Sequence, residues 1–538
     1  MEEFPSASHA EPTVSNNKGE HEMWRCAEIR YLPDIARYWS QKRPEKVALI
    51  EGSAQRTYAQ LNERSSAIAG RLLEMGVKRG DPVGYIGKNS IEVFEVWFAA
   101  SKIGCAFAPF NWRLAVAELV AILDDARPPI VFAGAEIADT MRKVQKRTEI
   151  KFEIVEFQPS TVPDGGLAFW LKGTPTTDPA VKISGDDIAL LSYTSGTTGL
   201  PKGVTARHDA FQYSFLCGTL EPALARYDDD ILLMSMPNFH LGGSWVSIAA
   251  LYHGATISIL PAFDPEALIA TLRRDRPTIV PLVPTAIQLL VSRPDVTSDD
   301  FRSVRSIIYF GSPIGQQLLK SAIEKLQCEF CQSYGTTESY FNTIFRHDDH
   351  LTADATRLAS CGRPLPMVYM KVVNGNGEEA PPGTVGELLV YTPMMMSGYR
   401  NRPEATSEVL KDGWYRTGDL AKQDSDGFFY IVDRAKDMII SGGENVYSAE
   451  VELALLKHPG IVMAAVIGTP DPNWGEKVTA LLVLKPGAEI SEEEVRQHCR
   501  AYLAGYKVPK TVLFETSLPL TPSGKVQKGP LRERFRNI

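Results

Sequence analysis

From Tyr31 to about residue 380, short apolar runs alternate with amphipathic stretches in a repeated strand and helix rhythm. Val83 to Ile86, Ile130 to Phe132, Ile188 to Ser192, Thr256 to Leu260 and Ile307 to Phe310 are almost wholly apolar. A strand covered on both faces has no solvent side and reads this way, so these runs predict buried, largely parallel strands. Between them, Tyr58 to Met75 and Pro265 to Arg274 carry apolar residues at helical spacing. The alternation predicts layered α/β architecture.

The pattern changes after about residue 380. Turns at Pro381-Pro382-Gly383, Asp412-Gly413 and Asp426-Gly427 separate short β-type runs such as Gly386 to Tyr391 and Gly427 to Val432. A small, β-barrel-like unit is expected over 380–433. Past Arg434 a new pattern begins, with helices expected at Ser448 to Lys457 and Ser491 to Leu503 and strands at Val462 to Ile467 and Val478 to Leu484. The expected division is a polar, disordered leader over 1–22, a large N-terminal nucleotide-binding domain over 23–433 and a small, mobile α+β domain over 434–538.

With 538 residues and 44% hydrophobic positions, the chain has material for several domains and a large core. Its net charge of −8 argues against a nucleic-acid coat, which needs a basic stripe. The small domain is the more cationic, with 14 Lys and Arg against 12 Asp and Glu, which suits an anionic ligand between domains. No run supplies the roughly 18 to 20 apolar residues of a membrane span; Phe94 to Phe110 comes nearest and is interrupted by Lys102. Met1-Glu2-Glu3 does not open a signal peptide, and Phe535 to Ile538 carries no peroxisomal or lipid-anchor address, so a cytoplasmic protein is expected. Seven scattered cysteines fit reduced thiols. Cys328 and Cys331 have CxxC spacing without the second pair or His cluster of a zinc site, and are expected in the core. A homodimer is left open as a partner.

The sharpest local signal is Tyr193-Thr194-Ser195-Gly196-Thr197-Thr198-Gly199-Leu200-Pro201-Lys202-Gly203, directly after an expected strand. Four Ser/Thr hydroxyls, three glycines and a lysine offer backbone N–H groups, side-chain donors and a positive charge to a polyphosphate. It is not a Walker loop: Pro201-Lys202 stands where Gly-Lys-Ser/Thr is required.

This segment resembles the phosphate-binding signature of the adenylate-forming superfamily, which contains acyl-CoA synthetases, peptide-synthetase adenylation domains and luciferases. Further signatures follow in that family's order. They are Gln332-Ser333-Tyr334-Gly335-Thr336-Thr337-Glu338, Tyr415-Arg416-Thr417-Gly418-Asp419, Asp433-Arg434-Ala435-Lys436-Asp437 with Ser441-Gly442-Gly443-Glu444-Asn445, and Pro522-Ser523-Gly524-Lys525. The likeness extends from about residue 30 to 535.

The resemblance implies an acid–CoA ligase using ATP, Mg²⁺ and coenzyme A. Lys525 and Lys202 would meet the reacting phosphate, with Lys525 also reaching the carboxylate. Thr194, Ser195, Gly196, Thr197, Thr198 and Gly199 would cradle the phosphates, and Thr197 and Glu338 would hold Mg²⁺. Tyr334, Gly335 and Thr336 would form one wall of an adenine slot and Gly311 and Ser312 the other. Asp419 would accept both ribose hydroxyls, Arg434 would donate to the same sugar, and Lys436 would be the hinge of domain rotation. Ser441, Gly442, Gly443 and Trp474 would line the path of CoA.

His240 occupies what resembles the gate between acid pocket and CoA path, as a positioning residue with no acid–base role. Related amino-acid adenylation domains generally have an aspartate near this gate, so a substrate without an amino group is expected. Pocket walls of Phe239, His240, Gly242, Gly243, Ser244, Trp245, Ser312, Tyr340 and Phe341 suit a hydrophobic fatty, branched or aryl acid, with the adjacent glycines expected to leave room for bulk. Three other outcomes share the nucleotide residues: a ligase loading a carrier protein, a luciferase-like oxygenase, and a scaffold without turnover.

Overall fold

The computed structural model describes residues 27–162, 165–194, 201–354, 356–441, 444–472, 474–521 and 525–535. The expected leader lies outside them. Two large sheets dominate. In the nine-stranded sheet, Glu329–Thr336, Ser306–Phe310, Ile279–Leu282, Ile231–Met234, Thr256–Ile259 and Val47–Glu51 run parallel. Tyr340–Phe345 adds antiparallel at one end. In the seven-stranded sheet, Ile188–Thr194, Ala106–Phe110, Pro82–Ile86, Ile130–Gly134 and Glu153–Phe157 run parallel, and Lys202–Arg207 returns antiparallel beside Ile188–Thr194.

The apolar runs become strands because helices cover both faces. The helix Ile91–Lys102 is buried along its whole length and shares one core with residues of both sheets. Lys102, which interrupts the longest apolar run, is itself fully buried. Its ammonium donates to Asn62 Oδ1 and Ser66 Oγ, each at 2.6 Å, and pairs with Asp178 at 3.0 Å. A buried cation is tolerated when it is paired in this way. Helix ends follow local chemistry: Thr57 and Gln60 cap Tyr58–Glu74 reciprocally, and Asp264 Oδ1 accepts from Ala267 N at 2.8 Å to start Pro265–Asp275.

The β-rich part starts earlier than turn chemistry predicts. Its five-stranded sheet already includes Tyr369–Val373, paired with Gly386–Tyr391, followed by Leu410–Lys411, Trp414–Gln423 and Phe429–Arg434. Tyr369–Val373 follows a turn at Pro366-Met367, with Met367 at φ 63°. A second five-stranded sheet contains Ile439–Ser441, Glu444–Val446, Ile461–Asp471, Gly475–Leu484 and Thr511–Phe514, with helices Ser448–Leu455 and Glu492–Arg500. Asp433 joins the two sheets' neighbourhoods, its Oδ2 accepting from Ser448 Oγ at 2.8 Å. Among the described residues, no helix is long and apolar enough to cross a membrane.

Candidate active site

The carboxyl ends of parallel strands converge on one cleft, as open α/β sheets favour. Thr194 ends one strand and pairs in register with Lys202, which begins the next. Ser195, Gly196, Thr197, Thr198 and Gly199 lie outside the described residues. The Lys202 ammonium stands 4.8 Å from the centre of the Tyr399 ring, and Tyr399 donates its hydroxyl to Glu338 Oε1 at 2.9 Å. Burial, then Glu338, raises the Tyr399 phenol above its ordinary value. It stays protonated and holds the carboxylate in place. Among the described residues no cluster of three His, Cys, Asp or Glu could hold a metal. A single carboxylate still fits Mg²⁺, which takes one or two protein carboxylates and fills its shell with water and substrate phosphates.

Asp419, Arg434 and Tyr334 form a second unit. Asp419 is buried and faces Arg434 across two antiparallel strands. Its Oδ1 pairs with Arg434 Nε at 3.2 Å, and its Oδ2 accepts from the Tyr334 hydroxyl at 2.6 Å. Burial and the Asp419 charge push the Tyr334 phenol well up, so it remains a donor. Gly335 follows at a register shift in the Glu329–Thr336 strand. A Cβ there would lie 1.7 Å from Tyr340 O, so glycine is required by close backbone approach. The Thr336 hydroxyl contacts Ser339 Oγ at 2.9 Å and accepts from Ser339 N at 3.2 Å.

Lys525 reaches this cleft from the far end of the chain. Its Cε lies 3.5 Å from where a Cβ on Gly311 would stand, and Gly311 has φ 95°. Ser312 follows in the same turn. Lys525 keeps solvent contact in the cleft, while the surrounding protein and then Arg434 lower its ammonium to about 8, Asp419 acting the other way. His240 precedes the helix Leu241–Tyr252. Burial, then the cations of Lys525 and Arg113, push its ring down to about 4, so it is neutral at pH 7. Its Nε2 is buried without a partner. So is the hydroxyl of Tyr340, a residue held at φ 61°.

The acid side is walled by rings. Trp245 is stacked between Phe211 at 3.6 Å and Tyr340 at 3.9 Å, and donates Nε1 to Ser214 Oγ at 2.6 Å. Phe239 lies 4.8 Å from the His240 ring, and Phe341 lies 5.4 Å from Phe310. The expectation that Gly242 and Gly243 leave room for bulk is corrected here. A Cβ on Gly242 would stand 2.2 Å from the Phe310 ring, and one on Gly243 would stand 2.3 Å from Pro237 O. Both spaces are already filled. Ser244 turns its hydroxyl back to His240 O at 3.0 Å.

Ser441 pairs in register with Gly475, the residue after Trp474. Trp474 is half exposed, 5.2 Å from the Lys510 ammonium. Gly442 and Gly443 lie outside the described residues. Lys436 is exposed in a turn closed by Asp437 N and Met438 N, both donating to Arg434 O at 2.9 and 3.1 Å. Asp437 pairs with Arg532 at 2.8 Å, tying that turn to the C-terminal helix. Cys331 is buried and Cys328 partly so, and burial pushes both thiols up, to about 11 and about 12. Sequence reasoning missed Tyr399, Arg113 and Phe310. Tyr399 sits in a turn-rich Gly398 to Pro403 segment that gives no local sign of its partner 61 residues away.

Two family models match the chain: the AMP-binding enzyme over residues 36–400 and the AMP-binding enzyme C-terminal domain over 450–525. This chain belongs to the AMP-binding enzyme family. It is 38% identical to a feruloyl-CoA synthase from Amycolatopsis sp over 91% of this chain and 96% of that one. It is 35% identical to the fatty acid–[acyl-carrier-protein] ligase ScoC of Streptomyces coeruleorubidus over 94% and 97%. Among solved structures, ATP-bound MatB from Rhodopseudomonas palustris superposes with a TM-score of 0.86 at 30% identity, covering 94% of this chain and 99% of that chain. Family membership makes the chain an AMP-forming acid–thiol ligase of the adenylate-forming superfamily, with ATP, Mg²⁺ and coenzyme A as its cofactor set.

Proposed function

We propose an ATP-dependent acyl-CoA synthetase for a hydrophobic aryl, fatty or branched carboxylic acid. The observation that carries this reading is the placement of Lys525 against Gly311, between the Asp419–Arg434 pair and His240. In the first step a carboxylate oxygen attacks the α-phosphorus of ATP, the bond to pyrophosphate breaks, and acyl-AMP forms. Two anions must approach, so the cations of Lys525 and Lys202 stabilise charge that grows as pyrophosphate leaves. Glu338 and Thr197 would hold Mg²⁺, which would supply charge neutralisation to the leaving pyrophosphate. Asp419 and Arg434 orient the ribose and Tyr334 offers its ring to adenine, while neutral His240 orients the acid. In the second step the CoA thiolate attacks the acyl carbonyl and AMP leaves. We assign residues 434–538 as the lid that turns at Lys436 between the steps, bringing Ser441, Gly442, Gly443 and Trp474 to the pantetheine. A cytoplasmic location and a homodimer are part of the same proposal.

Incubating the protein with ATP, Mg²⁺ and panels of fatty, aryl and branched acids, with and without CoA, tests this by mass spectrometry. Acyl-CoA and AMP appearing only with CoA is the expected result. Similarity to ScoC favours one second reading, transfer to a carrier-protein phosphopantetheine. Acyl-AMP that forms while CoA is never consumed would select it.

A further inference from the structure

The loop that carries His240 is fastened by a buried pair of asparagines. Asn89 is 2% exposed and Asn238 is wholly buried. The Asn89 carboxamide reaches three backbone groups: its Nδ2 donates to Met236 O and Leu260 O, both at 3.0 Å, and its Oδ1 accepts from Asn238 N at 2.8 Å. Asn238 answers with its Nδ2, which donates to Gly87 O at 3.0 Å. Gly87 and Asn89 follow the strand Pro82–Ile86 of the seven-stranded sheet, whereas Met236 and Leu260 follow Ile231–Met234 and Thr256–Ile259 of the nine-stranded sheet. The pair therefore clasps the two sheets at their carboxyl ends. Asn89 is itself fixed, since its N–H donates to Pro261 O at 3.0 Å and Ile91 N donates to the buried Glu51 Oε2 at 2.9 Å.

The peptide held by Asn89 is the one on which His240 rests. A Cβ on Gly243 would meet Met236 O at 2.5 Å and Pro237 O at 2.3 Å, so the first turn of the helix Leu241–Tyr252 lies directly on this peptide. His240 N donates to Pro237 O at 3.1 Å, and His240 O accepts from Gly243 N and Ser244 N at 2.9 and 3.0 Å. The imidazole Nε2 has no partner of its own to aim it. The backbone from Met236 to Asn238 therefore sets where the ring stands. Without the Asn89 carboxamide, Met236 O, Leu260 O and Asn238 N would be three buried polar groups short of a partner, and the loop would have to shift to satisfy them.

We propose that Asn89 is a positioning residue for the acid: through the backbone from Met236 to Asn238 it places the His240 ring that orients the substrate, and Asn238 closes the clasp from the other side. Asn89 acts through His240 and on the acid alone, not on ATP. This rests on the acyl-CoA synthetase reading above and deepens it, because it ties the acid site to the contact between the two large sheets.

The test measures AMP release by the full-length enzyme with ATP, Mg²⁺ and CoA, using the acid of the fatty, aryl and branched panels that the wild type turns over fastest. Asn89→Ala should lower kcat/KM for the acid by about tenfold to a hundredfold, mostly through KM, with the KM for ATP within about twofold of wild type, since a small misplacement of a positioning group has this scale. His240→Ala should lose a similar factor. Adding Asn89→Ala to it should cost less than about threefold more, because residues that act through one group are not additive. Thr256→Val removes a buried hydrogen bond to Val47 O at 2.7 Å, at the opposite end of the strand from Leu260. It should lower stability in chemical denaturation and leave the acid KM unchanged. An unchanged acid KM in folded Asn89→Ala, equal rises in both KM values, or a full Asn89→Ala loss in the His240→Ala background would each overturn the proposal. If Asn89→Ala does not fold, Asn238→Ala decides: it spares the bonds from Asn89 to Met236 O and Leu260 O, and should raise the acid KM by about threefold to tenfold with ATP unaffected. An unchanged acid KM there would overturn the proposal as well. In all these cases wild-type turnover leaves the ligase reading standing. A wild type that releases AMP with no acid of the panels would remove that reading, and this one with it.

Discussion

The nucleotide end and the acid end of the cleft are built on opposite principles. At the nucleotide end, polar groups hold one another: Tyr334 to Asp419 to Arg434, and Tyr399 to Glu338. At the acid end, rings make the walls, and His240 Nε2 and the Tyr340 hydroxyl remain buried without partners. The difference follows from the ligands. ATP is the same in every cycle and rewards a preorganised set of charges. An acid is recognised by shape and by a few polar atoms left for it to satisfy.

The strongest test of this contrast removes the residue that serves both ends. Lys525→Ala should lower adenylate formation by about 10²- to 10³-fold, the scale of losing one charge-stabilising donor. Acyl-AMP supplied from outside should still react with CoA. Equal loss of both steps, read by single-turnover assays, would deny Lys525 a role confined to the first. Next in size, Gly335→Ala should cost about 3 kcal/mol or more of stability, since the added Cβ meets Tyr340 O at 1.7 Å and backbone cannot give way as a side-chain tip can. Chemical denaturation would measure it, and wild-type stability would show that this hairpin is looser than it looks.

Asp419→Asn keeps a hydrogen-bond acceptor and removes the charge facing Arg434. It should raise the KM for ATP by about tenfold to a hundredfold, in line with a charged hydrogen bond worth about 1.5 to 3 kcal/mol, while leaving the KM for the acid near wild type. Gly242→Ala sharpens the contrast from the other side. It forces Phe310 to move, so the acid KM and the ranking of acids should change by about tenfold, the scale of a methylene in a pocket, with the KM for ATP unaffected. Parallel shifts in both KM values would mean that the two ends are not separable.

The smallest expected effect is a proton count. Lys525 titrates at about 8 against an ordinary 10.5, so above pH 8 the free enzyme has partly lost this proton. Bound phosphates restore the higher value. ATP binding should therefore take up a fraction of a proton at pH 8.5, and affinity should fall as pH rises from about 8 towards 10.5. Calorimetry in two buffers of different ionisation enthalpy reads the uptake, which should vanish in Lys525→Ala. Proton release would reverse the assigned sign.

The amino-acid sequence alone determined the α/β layering, because a strand covered on both faces must be apolar along its length, and Val83 to Ile86 or Ile307 to Phe310 state that locally. It also determined the nucleotide chemistry, because loops that receive phosphate need glycines, hydroxyls and lysines close together in the chain. Tertiary structure decided the rest. Glu338 takes its donor from Tyr399, 61 residues on, and the apparent vacancy at Gly242 is filled by Phe310. Asp230 is held by Arg305, 75 residues on. None of these has a local signature. A glycine marks the absence of a side chain but not what occupies the space, and a charge in sequence does not say which opposite charge another segment has already taken.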